Sequence, residues 1–492
     1  MSVLTQSAAT QPEISALFTA ESARANAMVI VAANLRFDFS KQAITSAQLS
    51  AQLKQLQQRN LSSALDSLTR GDLVNVTEAR AATHMSLRDP LKASQHDATR
   101  LLSDRIANGG VRTIVNLGIG GSDLGLRLAD DVFRASGVPS RVALRFCTGL
   151  DPIEWHEAVA GLDAKTTAFV VASKSFTTLE TQTTSQRARA WLASTGLDAA
   201  GVSARMYATT SAPAKAAAAG FVATNVAAFD ESVGGRYSVW SAINVPLRVA
   251  YGNTAVDAML AGASLMDTQF IEAPLEGNAP VLAAITRNFN RNELGINDLA
   301  VVPYAWGLRK LAEYLQQLVM ESNGKRVNAR TGEAITTDPC SAVWGTVGTA
   351  AQHAYFQWLH QHPRGAAVDI IALKPSADRG SVALFENAAA QSRALAFGSE
   401  AVADDPLAAH KRSLGNRPNT FIAMPELTPK TFGALLAFYE ASVFVEAFIN
   451  GVNPFDQYGV EYGKLVARQI ASGENAGDMD PSTRALLAWA RS

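Results

Sequence analysis

The stretch Val170-Val-Ala-Ser-Lys-Ser-Phe-Thr-Thr-Leu-Glu-Thr181 decides the fold, because it leads from a strand into a helix through a hydroxyl-rich turn. The β-branched run at residues 166–172 predicts a buried strand. A helix is predicted after Ser175, with Thr177 and Glu180 spaced as a capping box. Donor groups and the positive helix end would then meet at one spot that suits a phosphate monoester. Taken alone, the stretch is explained as well by hydroxyl groups that only cap the helix.

Length and composition narrow the class of protein. The chain has 492 residues, of which 48% are hydrophobic and 18% charged, so it is expected to form two or three globular domains. A net charge of −1 offers no basic face, and nucleic acid is therefore not an expected partner. Cys147 and Cys340 lack a metal-ligand spacing and fit a reducing compartment, although a disulfide is left open. No secretory signal and no apolar run of membrane-spanning length is apparent, so we expect a cytoplasmic protein without a membrane partner.

Two glycine-rich turns are further candidates for ligand binding. Gly118-Ile-Gly-Gly-Ser-Asp-Leu-Gly125 follows the strand-like run 113–117. Its glycines would let the backbone approach an anion at the next helix. The alternative is a tight turn with packing glycines, since neither the spacing nor an acidic partner matches a dinucleotide site. In the second turn, Gly234 and Gly235 would hold Arg236 ahead of a helix, either in solvent or aimed into a cleft.

Alternating strands and helices predict parallel sheets with helices on both faces. Strands are expected at residues 113–117, 141–147, 166–172, 204–209, 299–304, 368–373 and 420–424. We expect an N-terminal helical region (1–105), two α/β units (106–280 and 281–450) and a C-terminal helical segment (451–492). In the first region, 36–41 and 76–81 are taken by default as ordinary helix starts. In the last, Gln457, Glu461 and Lys464 are spaced to share one helix face.

Taken together, the motifs resemble the phosphoglucose isomerase (glucose-6-phosphate isomerase) family in kind and order, over almost the whole chain. The segments that carry the resemblance are Gly118–Gly125, Ser173-Lys-Ser-Phe-Thr-Thr178 with Glu180-Thr181, Val233-Gly-Gly-Arg-Tyr-Ser-Val-Trp-Ser-Ala-Ile243, Glu321-Ser-Asn-Gly-Lys325, Gly415-Asn-Arg-Pro418, Phe455-Asp-Gln-Tyr-Gly-Val-Glu-Tyr-Gly-Lys464 and, more weakly, Phe37-Asp-Phe-Ser-Lys41 and Thr77-Glu-Ala-Arg-Ala81. The resemblance implies two sugar-isomerase (SIS) domains, each a doubly wound parallel sheet in an α/β/α sandwich, and a homodimer whose sites use both subunits. It also implies interconversion of glucose 6-phosphate and fructose 6-phosphate in glycolysis and gluconeogenesis, through an enediol intermediate and without metal or organic cofactor.

The resemblance also assigns roles to residues at the expected site. It implies that Ser173, Lys174, Ser175, Thr177 and Thr178 hold the phosphate, that Gly121 and Ser122 line the sugar, that Arg236 faces the enediolate, and that Gln457 and Lys464 reach the substrate from the last helix. The chemistry agrees, because fixed cations near the developing oxyanion lower the barrier to proton transfer. Binding the phosphate at the remote end would hold the reacting carbons in place.

The sequence departs from the family at the acid and base positions. The family pattern Trp-Gly-Glu-Pro-Gly-Thr-Asn-Gly-Gln-His supplies a glutamate base, and Thr346 stands in its place. A threonine hydroxyl is not a competent base near neutral pH. The family's ring-opening histidine is also missing from residues 374–381, where Gly380 or Ser381 takes its position. Three alternatives follow: a substitute base such as Asp378 or His353, a rearranged site, or a protein that binds sugar phosphates without isomerising them.

Overall fold

Two β-sheets organise the chain in the computed structural model, which describes residues 13–400, 405–472 and 479–492. The strands are β1 Val29–Ala32, β2 Leu35–Asp38, β3 Thr113–Gly118, β4 Ala143–Cys147, β5 Thr167–Ala172, β6 Met206–Thr210, β7 Val226–Ala228, β8 Asp298–Tyr304, β9 Ala342–Trp344, β10 Ala367–Leu373 and β11 Asn419–Met424. Every strand expected from the sequence is present within two residues of its predicted ends. The short strands β1, β2, β7 and β9 were not predicted.

The first sheet has the order β4-β3-β5-β6-β7 and is parallel throughout. All six residues of β3 and all six of β5 are buried, as their β-branched sequences predict for central strands. Gly118 at the end of β3 pairs with Ala172 at the end of β5. The glycine-rich loop and the hydroxyl-rich loop therefore leave the sheet side by side, at its carboxyl edge.

The second sheet has the order β1-β2-β11-β10-β8-β9 and is mixed. Strands β8 to β11 are parallel, whereas β2 pairs antiparallel with both β1 and β11. The expectation of a wholly parallel sheet was therefore wrong here, but the α/β fold with a largely parallel core is confirmed. Both faces carry helices, with Pro429–Asn450 and Ala279–Asn292 packed against each other and Arg379–Phe397 packed against β10.

The N-terminal region contains the β1–β2 hairpin, so the prediction that it is mostly helical was only partly correct. The segment 36–41 is not a helix start, because Phe37 is fully buried in β2 beside β11. Ala33 and Asn34 both have positive φ, as a two-residue hairpin turn requires. The segment 76–81 is not a helix start either, since an antiparallel bridge between Asn75 and Arg80 closes it into a turn.

The remaining segments are mainly helical. The longer α-helices are Ser46–Gln58, Leu61–Arg70, Asp97–Asn108, Leu124–Ala135, Pro152–Val159, Leu179–Ser194, Asn253–Glu272, Ala279–Asn292, Arg379–Phe397 and Pro429–Asn450, followed in the C-terminal unit by Glu461–Ser472 and Pro481–Arg491. Shorter helical segments include the 3₁₀ turns Gly120–Ser122 and Gly235–Trp240 and the run Leu311–Leu315 with Gln316–Glu321, a π-helix. Both cysteines are free.

Two long helices cross with their backbones in contact. A Cβ atom on Gly262 would lie 1.7 Å from the carbonyl oxygen of Lys430, and one on Gly433 would lie 1.9 Å from that of Met259. Only glycine permits such an approach. Among the described residues, Pro429–Asn450 is long and apolar enough to span a membrane, so the expectation of no such run was wrong. However, 89% of its apolar window is buried inside the protein, as in a core helix.

A buried ion cluster joins the same two helices. Arg88 donates from Nε and Nη2 to Asp267, each at 2.7 Å, and from Nη1 to Glu440. The Arg88 and Glu440 side chains are each 1% exposed. Trp240 Nε1 also donates to Glu440 at 2.8 Å, and the Arg88 guanidinium lies over its ring. The cluster holds one positive and two negative groups out of water.

Residues 455–492 form a second compact unit, separate from the first, which ends at Pro454. Its first helix begins at Glu461, so Gln457 precedes the helix and does not share a helical face with Lys464. That expectation was wrong, because a 3₁₀ turn at Tyr458–Val460 intervenes. Lys464 Nζ pairs with Glu461 Oε1 at 2.8 Å, as the spacing predicts. The proposed division of the chain into four regions stays a prediction.

Candidate active site

The hydroxyl-rich loop starts where β5 ends and leads into the helix Leu179–Ser194. The capping residue is Thr178 rather than Thr177, and its side chain accepts no hydrogen bond from the helix. The capping-box prediction was therefore wrong, because the helix begins later than expected. Ser175 Oγ lies 2.8 Å from Thr177 Oγ1, and both residues are exposed. The loop leaves hydroxyl groups at the helix N-terminus that are not used as caps.

Phe176 anchors this loop in the first domain's core. Its φ of 55° is left-handed, which is uncommon for a bulky residue and marks a tight turn. The ring is 7% exposed and meets Phe221 edge-on at 5.5 Å. Its backbone N–H donates to Ser173 Oγ at 3.2 Å. The buried ring and this hydrogen bond fix the conformation of the loop.

Lys174 lies half-buried in the same loop. Its carbonyl oxygen accepts from Thr210 Oγ1 at 2.9 Å and from Ser211 at 3.0 and 3.1 Å. Burial lowers the pKa of its ammonium group, and the charges of Arg80 and Arg236 lower it further, against an opposing effect of two glutamates. The carbonyl contacts hold the Lys174 main chain against the end of β6.

The glycine-rich loop turns tightly at Gly120–Ser122, and a buried side chain fixes it. Asn116 Nδ2 donates to the carbonyl oxygen of Ser122 at 3.0 Å. Gly120 has a φ of 58°, and a Cβ at this position would lie 3.1 Å from Gln317 Nε2. The loop thus packs against the helical run that ends at Glu321.

Arg236 lies on the 3₁₀ turn Gly235–Trp240, packed directly on the glycine-rich loop. A Cβ on Gly121 would lie 2.0 Å from the carbonyl oxygen of Gly235, and Ser238 Oγ donates to the Gly121 carbonyl at 3.1 Å. The guanidinium is not solvated, since its side chain is 1% exposed. Of the two alternatives for this arginine, a position in solvent is wrong, and a position facing a cleft stays a prediction.

The Arg236 guanidinium has well-defined partners. Nε donates to Ser322 Oγ at 2.7 Å, and Nη2 donates to the Pro454 carbonyl at 2.8 Å. Nη1 lies 3.4 Å from Glu321 Oε1, and the Glu321 side chain is 22% exposed. Glu321 was predicted only as part of a motif, without a role, because its contact with Arg236 arises from packing and leaves no local signal in the sequence.

Thr346, at the position of the family's base, is held by a hydrogen bond to a tyrosine nine residues later in the chain. Thr346 N–H donates to Tyr355 Oη at 3.1 Å, and the Tyr355 ring packs edge-on against Trp344. Asp378 is an exposed N-cap that accepts from the N–H groups of Gly380 and Ser381, and His353 is also exposed. Neither suggested substitute base contacts the loops described above in the described part of the chain.

Gln457 and Lys464 belong to the C-terminal unit, and their approach to the substrate stays a prediction. The structure thus brings three loops together at the edge of the first sheet. The predicted site residues on these loops are Gly121, Ser122, Ser173, Lys174, Ser175, Thr177, Thr178 and Arg236. Thr346 lies elsewhere, in the loop that follows β9 of the second sheet. The resulting site offers hydroxyl groups, a helix N-terminus and two cations, which is a suitable set for an anionic sugar.

Comparison with known proteins identifies the family of the chain. Residues 38–487 match the family described as phosphoglucose isomerase. The chain is 41% identical to a glucose-6-phosphate isomerase of Aromatoleum aromaticum, over 97% of this chain and 93% of the relative. It is 39% identical to one from Stenotrophomonas maltophilia, over 96% and 95%. A crystal structure of a glucose-6-phosphate isomerase from Chlamydia trachomatis superimposes with a TM-score of 0.87 at 29% identity, covering 98% of this chain and 96% of that one. The chain belongs to the phosphoglucose isomerase family.

Proposed function

We propose that this chain is a glucose-6-phosphate isomerase, an aldose–ketose isomerase that interconverts glucose 6-phosphate and fructose 6-phosphate. The observation that carries the proposal is the meeting of three loops at one edge of the first sheet. Gly118 and Ala172 are register partners, and the Arg236 turn touches Gly121. Membership of the family supports the same reaction.

The phosphate would bind at the hydroxyl-rich loop. Ser175 and Thr177 offer exposed hydroxyl groups, and the N–H groups at the start of Leu179–Ser194 favour an anion. Lys174 adds a cation whose side chain is half-buried. Binding of the phosphate here would position the reacting carbons near Gly121 and Arg236, on the opposite side of the site.

The reaction moves a proton between C2 and C1 of the open-chain sugar through an enediol. Negative charge develops on the sugar oxygens, and a fixed cation such as Arg236 stabilises it best when no reorganisation is needed. The buried guanidinium, already held by Ser322 and Pro454, meets that condition. Lys464 from the C-terminal unit would add a second cation.

The proposal extends to the assembly and the compartment. The protein would act as a homodimer in the cytoplasm, within glycolysis and gluconeogenesis, on a small-molecule sugar phosphate. Two free cysteines suit a reducing compartment. Light scattering of the purified protein would test the dimer.

An enzyme assay tests the central proposal. Fructose 6-phosphate is supplied, and glucose 6-phosphate is followed through a coupled dehydrogenase. We expect turnover that saturates with substrate. Binding in a calorimetric titration without any turnover would contradict an isomerase and favour the alternative, a sugar-phosphate sensor, for which the replacement of the family base by Thr346 is the specific reason.

A further inference from the structure

An aldose–ketose proton shift requires a base that can reach the reacting carbons, which in proteins means a carboxylate or an imidazole. The Thr346 hydroxyl is neither. If the chain isomerises sugar phosphates, as proposed above, another group must take the proton. The candidates are the ionisable side chains packed around Arg236 and the two loops.

The imidazole in this neighbourhood is poorly placed. His84 stacks on the Tyr237 ring, with 4.4 Å between ring centroids, and is 4% exposed. Burial lowers the pKa of His84 well below its ordinary value, and the charge of Arg88 adds to this effect. The His84 imidazole is therefore less accessible to a sugar carbon than a side chain that is partly exposed.

Four carboxylates lie near Lys174 or Arg236 among the described residues, and they differ in surroundings. Asp230 and Glu231 are exposed. Glu78 accepts from Asn75 Nδ2 at 2.8 Å, and its arginine partner, Arg80, is 40% exposed and so largely screened by water. Of the four, Glu321 pairs with the buried guanidinium of Arg236.

The two oxygens of Glu321 are not equivalent. Oε1 lies 3.4 Å from Arg236 Nη1. Oε2 is buried and has no hydrogen-bond partner among the described residues, while 22% of the side chain remains exposed. The first oxygen thus faces a fixed cation, and the second keeps a free lone pair that is shielded from water. A partly desolvated carboxylate beside a fixed cation has the properties of a base for a carbon acid.

We propose that Glu321 is the base of this site and that it carries the proton between C2 and C1. The Glu321 carboxylate removes the C2 proton of the open-chain aldose. The C2–H electron pair forms the C1=C2 bond, and the carbonyl pair moves to O1, beside Arg236. The O2 hydroxyl proton passes to O1, the carbonyl re-forms at C2, and Glu321 returns its proton to C1 to give the ketose. The residue is thereby a catalytic residue, and Arg236 positions it.

The first experiment replaces the carboxylate by its isostere. Glu321→Gln keeps the size and a hydrogen-bonding oxygen for Arg236 but cannot accept the proton. We expect kcat to fall by about 10²- to 10⁴-fold, the usual contribution of a general base, with little change in KM. Glu78→Gln is the matched control, because Glu78 is also 22% exposed and also pairs with one arginine, and it should retain wild-type kcat. Wild-type kcat in Glu321→Gln would overturn the proposal.

The pH profile separates a base from a merely structural glutamate. The charged groups that contact residue 321, among the described residues, are the Arg236 guanidinium on its carboxylate and the Lys325 ammonium on its carbonyl oxygen at 2.9 Å. In the wild type, kcat/KM should fall at low pH as the base is protonated. Glu321→Gln should lose that acid limb in its residual activity. An unchanged acid limb means that another group is the base.

Two further variants keep the test decisive if Glu321→Gln does not fold. Glu321→Asp should fold and reduce kcat by about 10²-fold through misplacement of the carboxylate, and wild-type kcat in it would overturn the proposal. Adding Thr346→Glu to Glu321→Gln restores a carboxylate at the position of the family's base without restoring the ion pair with Arg236. Recovered turnover would show that Glu321→Gln is inactive because it lacks a base. No turnover in the wild type would refute the proposed function itself, whereas wild-type turnover that survives loss of the Glu321 carboxylate refutes only this inference.

Discussion

Replacing Arg88 by methionine is predicted to destabilise the protein strongly. Arg88 is shared by two buried carboxylates, Asp267 on one long helix and Glu440 on the helix that crosses it. Methionine preserves most of the side-chain length but removes the positive charge and its hydrogen bonds. Asp267 and Glu440 would then remain buried with no cation between them.

The expected cost follows from the burial of these groups. Removing one partner of a buried ion pair leaves an uncompensated charge and costs about 3–5 kcal/mol. A chain of 492 residues has an unfolding entropy of about 1 kcal/mol/K, at roughly 2.1 cal/mol/K per residue, so the midpoint of thermal unfolding should fall by about 3–5 °C. Protonation of Asp267 or Glu440 would limit this cost. The fall in the unfolding midpoint of Arg88→Met should therefore be smaller at pH 5 than at pH 8.

The wild type has a pH dependence of the same origin. Burial raises the pKa of Asp267 to about 7, against the attraction of Arg88. Because the folded pKa is above the ordinary value of 3.8, this group favours the folded state below about pH 4 and loses that contribution as the pH rises through about 7. Asp267→Asn should remove this decline in stability between pH 4 and 7.

Differential scanning calorimetry at pH 5 and pH 8 measures both effects. Arg70→Met is the matched control, because its pair with Asp72 has the same 2.7 Å separation but side chains that are 59% and 46% exposed. That variant should unfold with the wild type, as exposed pairs contribute little. The reasoning is refuted if Arg88→Met melts no earlier than Arg70→Met, or if its loss is equal at the two pH values.

Three further predictions concern the loops and the helix Glu461–Ser472. Ser175→Ala combined with Thr178→Ala should weaken binding of fructose 6-phosphate by about 10²-fold or more, since hydrogen bonds to charged groups contribute about 1.5–3 kcal/mol each. Unchanged affinity in calorimetry would argue against the phosphate site. Lys464→Ala should reduce kcat far more than thermal stability, because its ion pair is exposed; parallel losses would indicate a structural lysine. Gly121→Ala should lower both the activity and the unfolding temperature, because its Cβ would lie 2.0 Å from a carbonyl oxygen. Gly235→Ala should leave both unchanged, because its Cβ would have no atom within 4 Å.

Local patterns predicted the strands that run through the middle of a sheet. The run 166–172 has the β-branched sequence of a doubly covered strand, and β5 is buried at every position. The hairpin β1–β2 was not predicted, because Phe37 becomes a core residue only through pairing with β11, nearly 400 residues later. Strands of this kind depend on a partner that no local window contains.

The site was predictable to the extent that it lies on loops with distinctive residue types. Glycines and hydroxyl groups after β3 and β5 marked the two loops correctly, and Gly118 and Ala172 prove to be neighbours. The helix start at Leu179 was misplaced because Thr177 and Thr178 are equally good capping residues by type. The contact between Arg236 and Glu321, 85 residues apart, follows from packing of the two sheets' connections and has no signal in either motif alone.

The crossing at Gly262 and Gly433 limits how this enzyme can open and close. The helix Asn253–Glu272 follows the first sheet in the chain, Pro429–Asn450 follows the second, and their main chains touch without side chains between them. This contact permits little relative movement. If one helix tilted against the other, carbonyl oxygens would clash with Cα atoms on one side and a void would open on the other. We therefore expect the sugar to enter and the product to leave through movements of the surface loops, while the rest of the first unit stays rigid during turnover.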